Sequence, residues 1–393
     1  SSDLQVGAAF DGTPPPPPKT SGWVSPAGTD VVAVATDPEG NTVALVVDPS
    51  GVGLSKLDSA GKTIWTRAFE GSAGANVDPG TALATDANGD VYVLWASQCK
   101  GSGCNGTIDF GDGATPAAAL VKLDPGGNLL WEKRLPEDGA DLAVNPNGDA
   151  VFRSWRSTDT TTSDVVRVDE NGTQVWTQTS PGLGHLAIDA AGNVLVGAVT
   201  SQTDPIFGRA FPSDGPVVAK LGSADGSILW ARRIAEGVQG EAPALGVDAS
   251  GAVVAAGQIG GAFDFGGEHH DDGTRPATPS IFVFEADGRE RVAREISPAV
   301  TVLVAVDPSG RASFAGSMPG SVTVTTFDLA GVAIGTSTFQ PTGAGAAIAV
   351  HSIAINPADH NTVLGGNFAG TIDFGSGPTA AQAQQGFVAN LGK

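Results

Sequence analysis

Seven times along these 393 residues an apolar stretch runs into Asp or Asn, passes a short turn and resumes as a second apolar stretch. The markers are Asp37, Asp86, Asn145, Asp189, Asp248, Asp307 and Asn356, separated by 44 to 59 residues. Six are followed three positions later by Gly; the seventh, Asn356-Pro-Ala-Asp-His-Asn361, has an extra residue and no Gly. Asp-x-x-Gly between strands specifies a tight hairpin, in which the carboxylate accepts from turn amides and Gly takes the left-handed conformation. These aspartates are read as structural. Self-similarity at this period leaves few architectures open, because each unit must bury its faces against its neighbours.

A second hairpin follows the first within each unit, with Gly and then a large apolar residue four positions on. Four copies carry Trp: Gly61 to Trp65, Gly127 to Trp131, Gly172 to Trp176 and Gly226 to Trp230. Val292 and Gly335 stand at that place in the next two. A Trp recurring at one strand position is read as packing between units rather than as a ligand platform. Two hairpins make four strands, and radial closure suits an all-β chain without helical periodicity. The expected fold is an all-β, single β-propeller of about seven four-stranded blades over residues 21–393, with residues 1–20 as a flexible proline-rich leader. The last unit stops after its third strand, whereas Gly22-Trp23-Val24 looks like a stray fourth strand. The N-terminal strand is therefore expected to complete the last blade.

The repeats resemble the bacterial propeller repeats often called SBBP repeats. There an Ala-Val-Asp-x-x-Gly-Asn hairpin precedes a Gly-x-hydrophobic-Asp-Phe-Gly loop and a Gly-x-x-Leu-Trp strand. Ile108-Asp109-Phe110-Gly111, Phe263-Asp264-Phe265-Gly266 and Ile372-Asp373-Phe374-Gly375 carry the middle motif. More distantly, the Gly/Trp strands look like those of quinone-binding dehydrogenase propellers and related outer-membrane assembly lipoproteins. The adjacent-cysteine motif of those dehydrogenases is absent. The resemblance implies architecture and an exported or surface-associated location, not a chemistry.

Composition narrows the function classes. Against 21 basic residues stand 42 acidic ones, a formal charge of -21 that repels phosphate backbones, so nucleic-acid partners are not expected. No apolar run approaches the ~18 residues of a membrane-spanning helix. The only two cysteines, Cys99 and Cys104, flank a Gly-rich stretch and are expected to form a disulfide, which fits an oxidising compartment. The sequence opens on Ser1 without a hydrophobic signal segment and reads as a processed form. Prolines 14–18 would form a stiff polyproline II spacer of ~3.1 Å per residue. Together these features read as an extracytoplasmic, surface-tethered monomer, lipid-anchored if a cysteine precedes Ser1.

Chemistry is sparse. No Gly-x-Ser-x-Gly elbow, His-Glu-x-x-His motif or free Cys and His pairing occurs. The densest polar cluster, Glu268 with His269, His270, Asp271 and Asp272, offers ligands for a divalent cation, and no other cofactor is implied. The longer connections, 98–117, 201–215, 259–279 and 367–385, join second to third strands and should gather on one face. Asp109, Asp264 and Asp373 belong to it, and Asp141 and His185 begin first strands of consecutive units at the channel mouth. The expected function is non-catalytic binding of a protein or polysaccharide through this face. The rival expectation is a carboxylate- or metal-assisted hydrolase or lyase on the same face.

Overall fold

A computed structural model describes residues 22–70, 81–96, 108–115, 118–137, 139–156, 159–200, 205–211, 214–234, 241–259, 263–265, 268–270, 278–296 and 301–392. No helix occurs among them. Seven four-stranded antiparallel sheets follow one another as blades. In blade 1 the strands run Asp30–Thr36, Thr42–Asp48, Gly51–Leu57 and Thr63–Ala68, from first to fourth, and the next five blades repeat that order. Blade 7 takes its first three strands from Thr342–Ile355, Thr362–Asp373 and Pro378–Leu391, and its fourth from Trp23–Pro26. Trp23 lies opposite Asn390 and Pro26 opposite Phe387, so the two ends of the described chain close the ring as expected.

Burial follows from the stacking of blades. Middle strands are covered on both faces, and Val91–Trp95 and Gly215–Leu221 are buried at every position. Fourth strands alternate, as Gln174–Pro181 does, because only one face meets a neighbour.

Each marker builds its turn as the spacing predicts. The Asp37 carbonyl accepts from Gly40, and its carboxylate accepts from the amides of Glu39 and Asn41. In the seventh copy His360 adopts the positive φ taken elsewhere by Gly, and its imidazole sits 2.6 Å from the Asp307 carboxylate of blade 6. The sequence did not disclose that the markers are buried and paired with cations. Third strands place Lys56 2.9 Å from Asp37, Lys122 3.3 Å from Asp86 and Lys220 2.9 Å from Asp189. Arg167 does the same for Asp149, four residues past the Asn145 marker. In blade 5 the corresponding residue is Val283, and Asp248 is held by the Ser250 hydroxyl and by amides.

The Trp positions lock one blade to the next. The Trp23, Trp65, Trp131, Trp176 and Trp230 indoles each donate to a carbonyl in the following blade's outer turn. Their rings lie over the turn glycine there, and a Cβ on Gly61 would fall 2.5 Å from the Trp23 ring. Blade 6 has Gly335 instead, because blade 7 has no outer turn: its third and fourth strands come from opposite ends of the described chain.

The expectation that 367–385 forms a connection is corrected. These residues are mostly strand, in which Thr371 pairs with Ala380 and Asp373 with Pro378. Phe368, Ile372 and Phe374 are buried at even spacing, so one face of this extended hairpin has its own core.

Candidate functional site

The first strands line the channel, and four of them carry an irregularity four or five residues before the turn marker. Pairing skips Val32 in blade 1, Asp141 in blade 3, Gly184 and His185 in blade 4, and His351 in blade 7. A bulged residue leaves the ladder and is re-aimed, and these bulges turn Val32, Asp141, His185 and His351 into one cavity of about 400 Å3. The cavity lies toward the strand starts, on the face of the second-to-third connections. Asp141 takes φ 60, and its carboxylate accepts from the Leu186 amide at 2.6 Å. His185 Nδ1 stands 3.5 Å from the same carboxylate, so the structure brings together these two residues singled out from the sequence. The hydrogen bond with Asp141 raises the His185 pKa above its usual 6.5, against the opposing effect of burial and of Arg153.

Arg153 and Trp155, from the second strand of blade 3 (Ala150–Arg156), complete that wall. The guanidinium lies 4.3 Å over the indole, Nη1 donates to the Leu183 carbonyl, and Nε is buried without a hydrogen-bond partner among the described residues. Burial lowers the Arg153 pKa, with Asp141 opposing. Trp155 is 41% exposed. Across the mouth, Asp30 accepts from Asn367 at 3.0 Å and lies 3.3 Å from His351 Nε2. Burial acts to raise the Asp30 pKa, but hydrogen bonds from His351 and Asn367 outweigh it and the net shift is downward.

Both carboxylates of the mouth are thus engaged by the protein's own donors, whereas the Arg153 guanidinium is held by the Leu183 carbonyl and lies over an exposed indole. The arrangement can hold an acceptor-bearing group against an aromatic surface.

Asp109 and Asp373 are placed otherwise. Each carboxylate accepts from two amides of its own turn, Gly111 and Gly113 in one case and Gly375 and Gly377 in the other. The Phe of the same motif is driven between blades: Phe110 stands 4.7 Å from Phe69, and Phe374 5.2 Å from Phe339. Asp264 pairs with His269, and Phe263 with His270, in a small two-stranded ribbon. Asp271 and Asp272 lie outside the described residues, as do Cys99, Cys104 and residues 1–20. No group of three or more metal-ligating side chains is found among the described residues, and no helix there is long and apolar enough to cross a membrane.

Arg153, Trp155, Asp30 and His351 escaped the sequence reading. A signal existed: Phe152-Arg-Ser-Trp-Arg156 puts bulk and charge where the second strands of blades 4 to 7 have Gly-Ala, Ala-Gly, Ala-Gly and Gly-Gly at the places of Arg153 and Ser154.

The fold and site define the class: a ring-closed, seven-bladed β-propeller with a polar, aromatic-walled axial mouth. Among solved structures the chain is similar to the C-terminal WD40 domain of Sif2, with a TM-score of 0.50, 8% identity and coverage of 95% of this chain and 98% of that one. It is also similar to the Dos1 propeller (TM-score 0.49, 11% identity, 94% and 93% covered) and to BamB from Moraxella catarrhalis (0.46, 14%, 94% and 99%). At such identities the likeness is one of fold alone. No family model and no curated protein matches the sequence.

Proposed function

We propose that this chain is an exported, surface-tethered binding module, of the SBBP-like repeat type, that holds a carboxylate-bearing stretch of a protein or polysaccharide at its axial mouth without transforming it. The observation that carries this reading is the stacking of the Arg153 guanidinium on the exposed Trp155 in the wall of the 400 Å3 cavity. A guanidinium favours planar carboxylates, and an indole supplies contact area at low entropic cost. His185, whose pKa is raised, adds a second cationic donor at acidic pH. Export is supported by the Cys99 and Cys104 pair and by the proline run at 14–18.

The test is an array of acidic oligosaccharides and acidic peptides, read with the wild-type chain and with Trp155→Ala and Arg153→Met. Capture by one class, lost in both variants and kept in Asp109→Asn, supports the reading. Capture indifferent to Trp155 and Arg153 overturns the site, and cleavage of a captured oligosaccharide overturns the non-catalytic part.

A further inference from the structure

Each seam between blades is filled at the loop-face end of the fourth strand in one of two ways. The first is the residue four positions past the Trp place: Phe69, Leu135, Ile234, Ile296 and Phe339 in five blades, Ser180 in blade 3 and Ala27 in blade 7. Their equivalence is visible in the backbone. The amides of Phe69, Ile234, Ile296 and Ala27 donate to Val52, Pro216, Pro279 and Gly386, each at 2.9 to 3.0 Å.

The second is an apolar residue from the second-to-third connection of the following blade. Phe110, Ile206, Phe265 and Phe374 do this for blades 2, 4, 5 and 7, and all four are buried. Ser180 shows the compensation, since the small residue faces a seam plugged by the loop of Ile206, and its hydroxyl accepts from the Phe207 amide. Blades 3 and 6 show no such plug among the described residues, and there Leu135 and Ile296 supply the bulk.

Only the seam between blades 7 and 1 has neither device among the described residues. Blade 1 turns tightly from Asp48 to Gly51, and Ala27 is small. A groove of about 330 Å3 results, walled by Ala27, Val46, Val52, Leu54 and Val388.

We propose that this groove is the docking site of the chain's own N-terminal segment, with Phe10 seated as the plug that loops supply at other seams. Twenty-one residues precede Gly22, directly before the strand that forms one wall, and Phe10 is the only aromatic residue among them. Gly12 stands two positions behind Phe10, as Gly208 stands behind the plug Ile206, and Gly111, Gly266 and Gly375 directly follow the plugs Phe110, Phe265 and Phe374. The reach suffices. Residues 11–21 span up to about 3.3 Å each, whereas the strand Trp23–Pro26 to be retraced is four residues long. The other seams show what fits: a bulky apolar side chain carried on a short glycine-bearing turn.

The experiment is photocrosslinking of the full chain with a benzophenone analogue of phenylalanine at position 10, mapped by mass spectrometry. Crosslinks within one molecule to residues 25–28 or 46–54 are expected. Ala27→Phe, which fills the groove from its wall as Phe69 does elsewhere, should abolish them. Phe10→Ala should lower the melting temperature of the wild-type chain and leave that of the Ala27→Phe chain unchanged. Crosslinks elsewhere, crosslinks between two molecules, or an equal melting shift in both backgrounds would overturn the assignment.

Discussion

At the residue scale, stability is concentrated where a repeated turn meets a repeated side chain. Gly61 has φ +79 and lies under the Trp23 ring, so Gly61→Ala adds backbone strain to a steric clash. We expect a loss of more than about 1 kcal/mol by denaturant titration, and a smaller loss from backbone strain alone at an exposed glycine such as Gly320, whose Cβ would meet nothing within 4 Å but whose φ is equally positive. The comparison separates the steric part from the backbone part. Trp176→Ala removes a 93% buried ring and its hydrogen bond to Ser223, and should cost about 3–5 kcal/mol. Lys220→Met strips the buried Asp189 of its cation and should cost roughly 3 kcal/mol, the low end for a broken buried pair, because amides still hold the carboxylate. Asp189 and Asp307 have depressed pKa values: burial opposes the shift, but Asn193 and Lys220 in one case, and Ser309 and His360 in the other, prevail. Their contribution is present above the ordinary 3.8 and is lost as pH falls through the lowered values, so unfolding free energy should drop below about pH 4. The turn aspartates and the Trp/Gly pairs were legible because each is a local pattern repeated in sequence. Their cations were not, because Lys56, Lys122 and Lys220 sit among apolar third-strand residues where a charge reads as an outward-facing side chain.

At the element scale, the N-terminal strand was recoverable from a deficit: six units have a fourth strand and the last does not. Its removal opens the ring and exposes the edge of Pro378–Leu391, so deleting residues through Pro26 should lower the melting temperature by many degrees in calorimetry. The Asp-Phe-Gly motif was legible as a motif but not in its role. In sequence the acid attracts attention, whereas in the fold the Phe does the packing and the acid at 109 and 373 forms its own turn. The hairpin of blade 7 was hidden by its Ala, Gly and Gln content, although Phe368, Ile372 and Phe374 already marked its buried face.

At the scale of the whole molecule, the axial mouth gathers residues from blades 7, 1, 2, 3 and 4 that lie up to about three hundred positions apart, and no linear pattern joins them. Asp141 and His185 were recoverable because they occupy the starts of consecutive first strands. Asp30 and His351 come from opposite ends of the chain and meet only because the ring closes. The raised pKa of His185, due first to Asp141, fixes a sign. The folded state favours the protonated imidazole, so this contribution to stability is complete below 6.5 and is lost as pH rises through the higher folded value. A carboxylate ligand should accordingly bind more tightly at pH 6 than at pH 8, and His185→Gln should flatten that dependence. The most direct measurement is titration calorimetry of whichever acidic ligand the array yields, on the wild-type chain and on Trp155→Ala. One site per chain is expected, with affinity about 30-fold weaker in the variant, equivalent to about 2 kcal/mol. Equal affinity for the two proteins, with both melting alike, would contradict it.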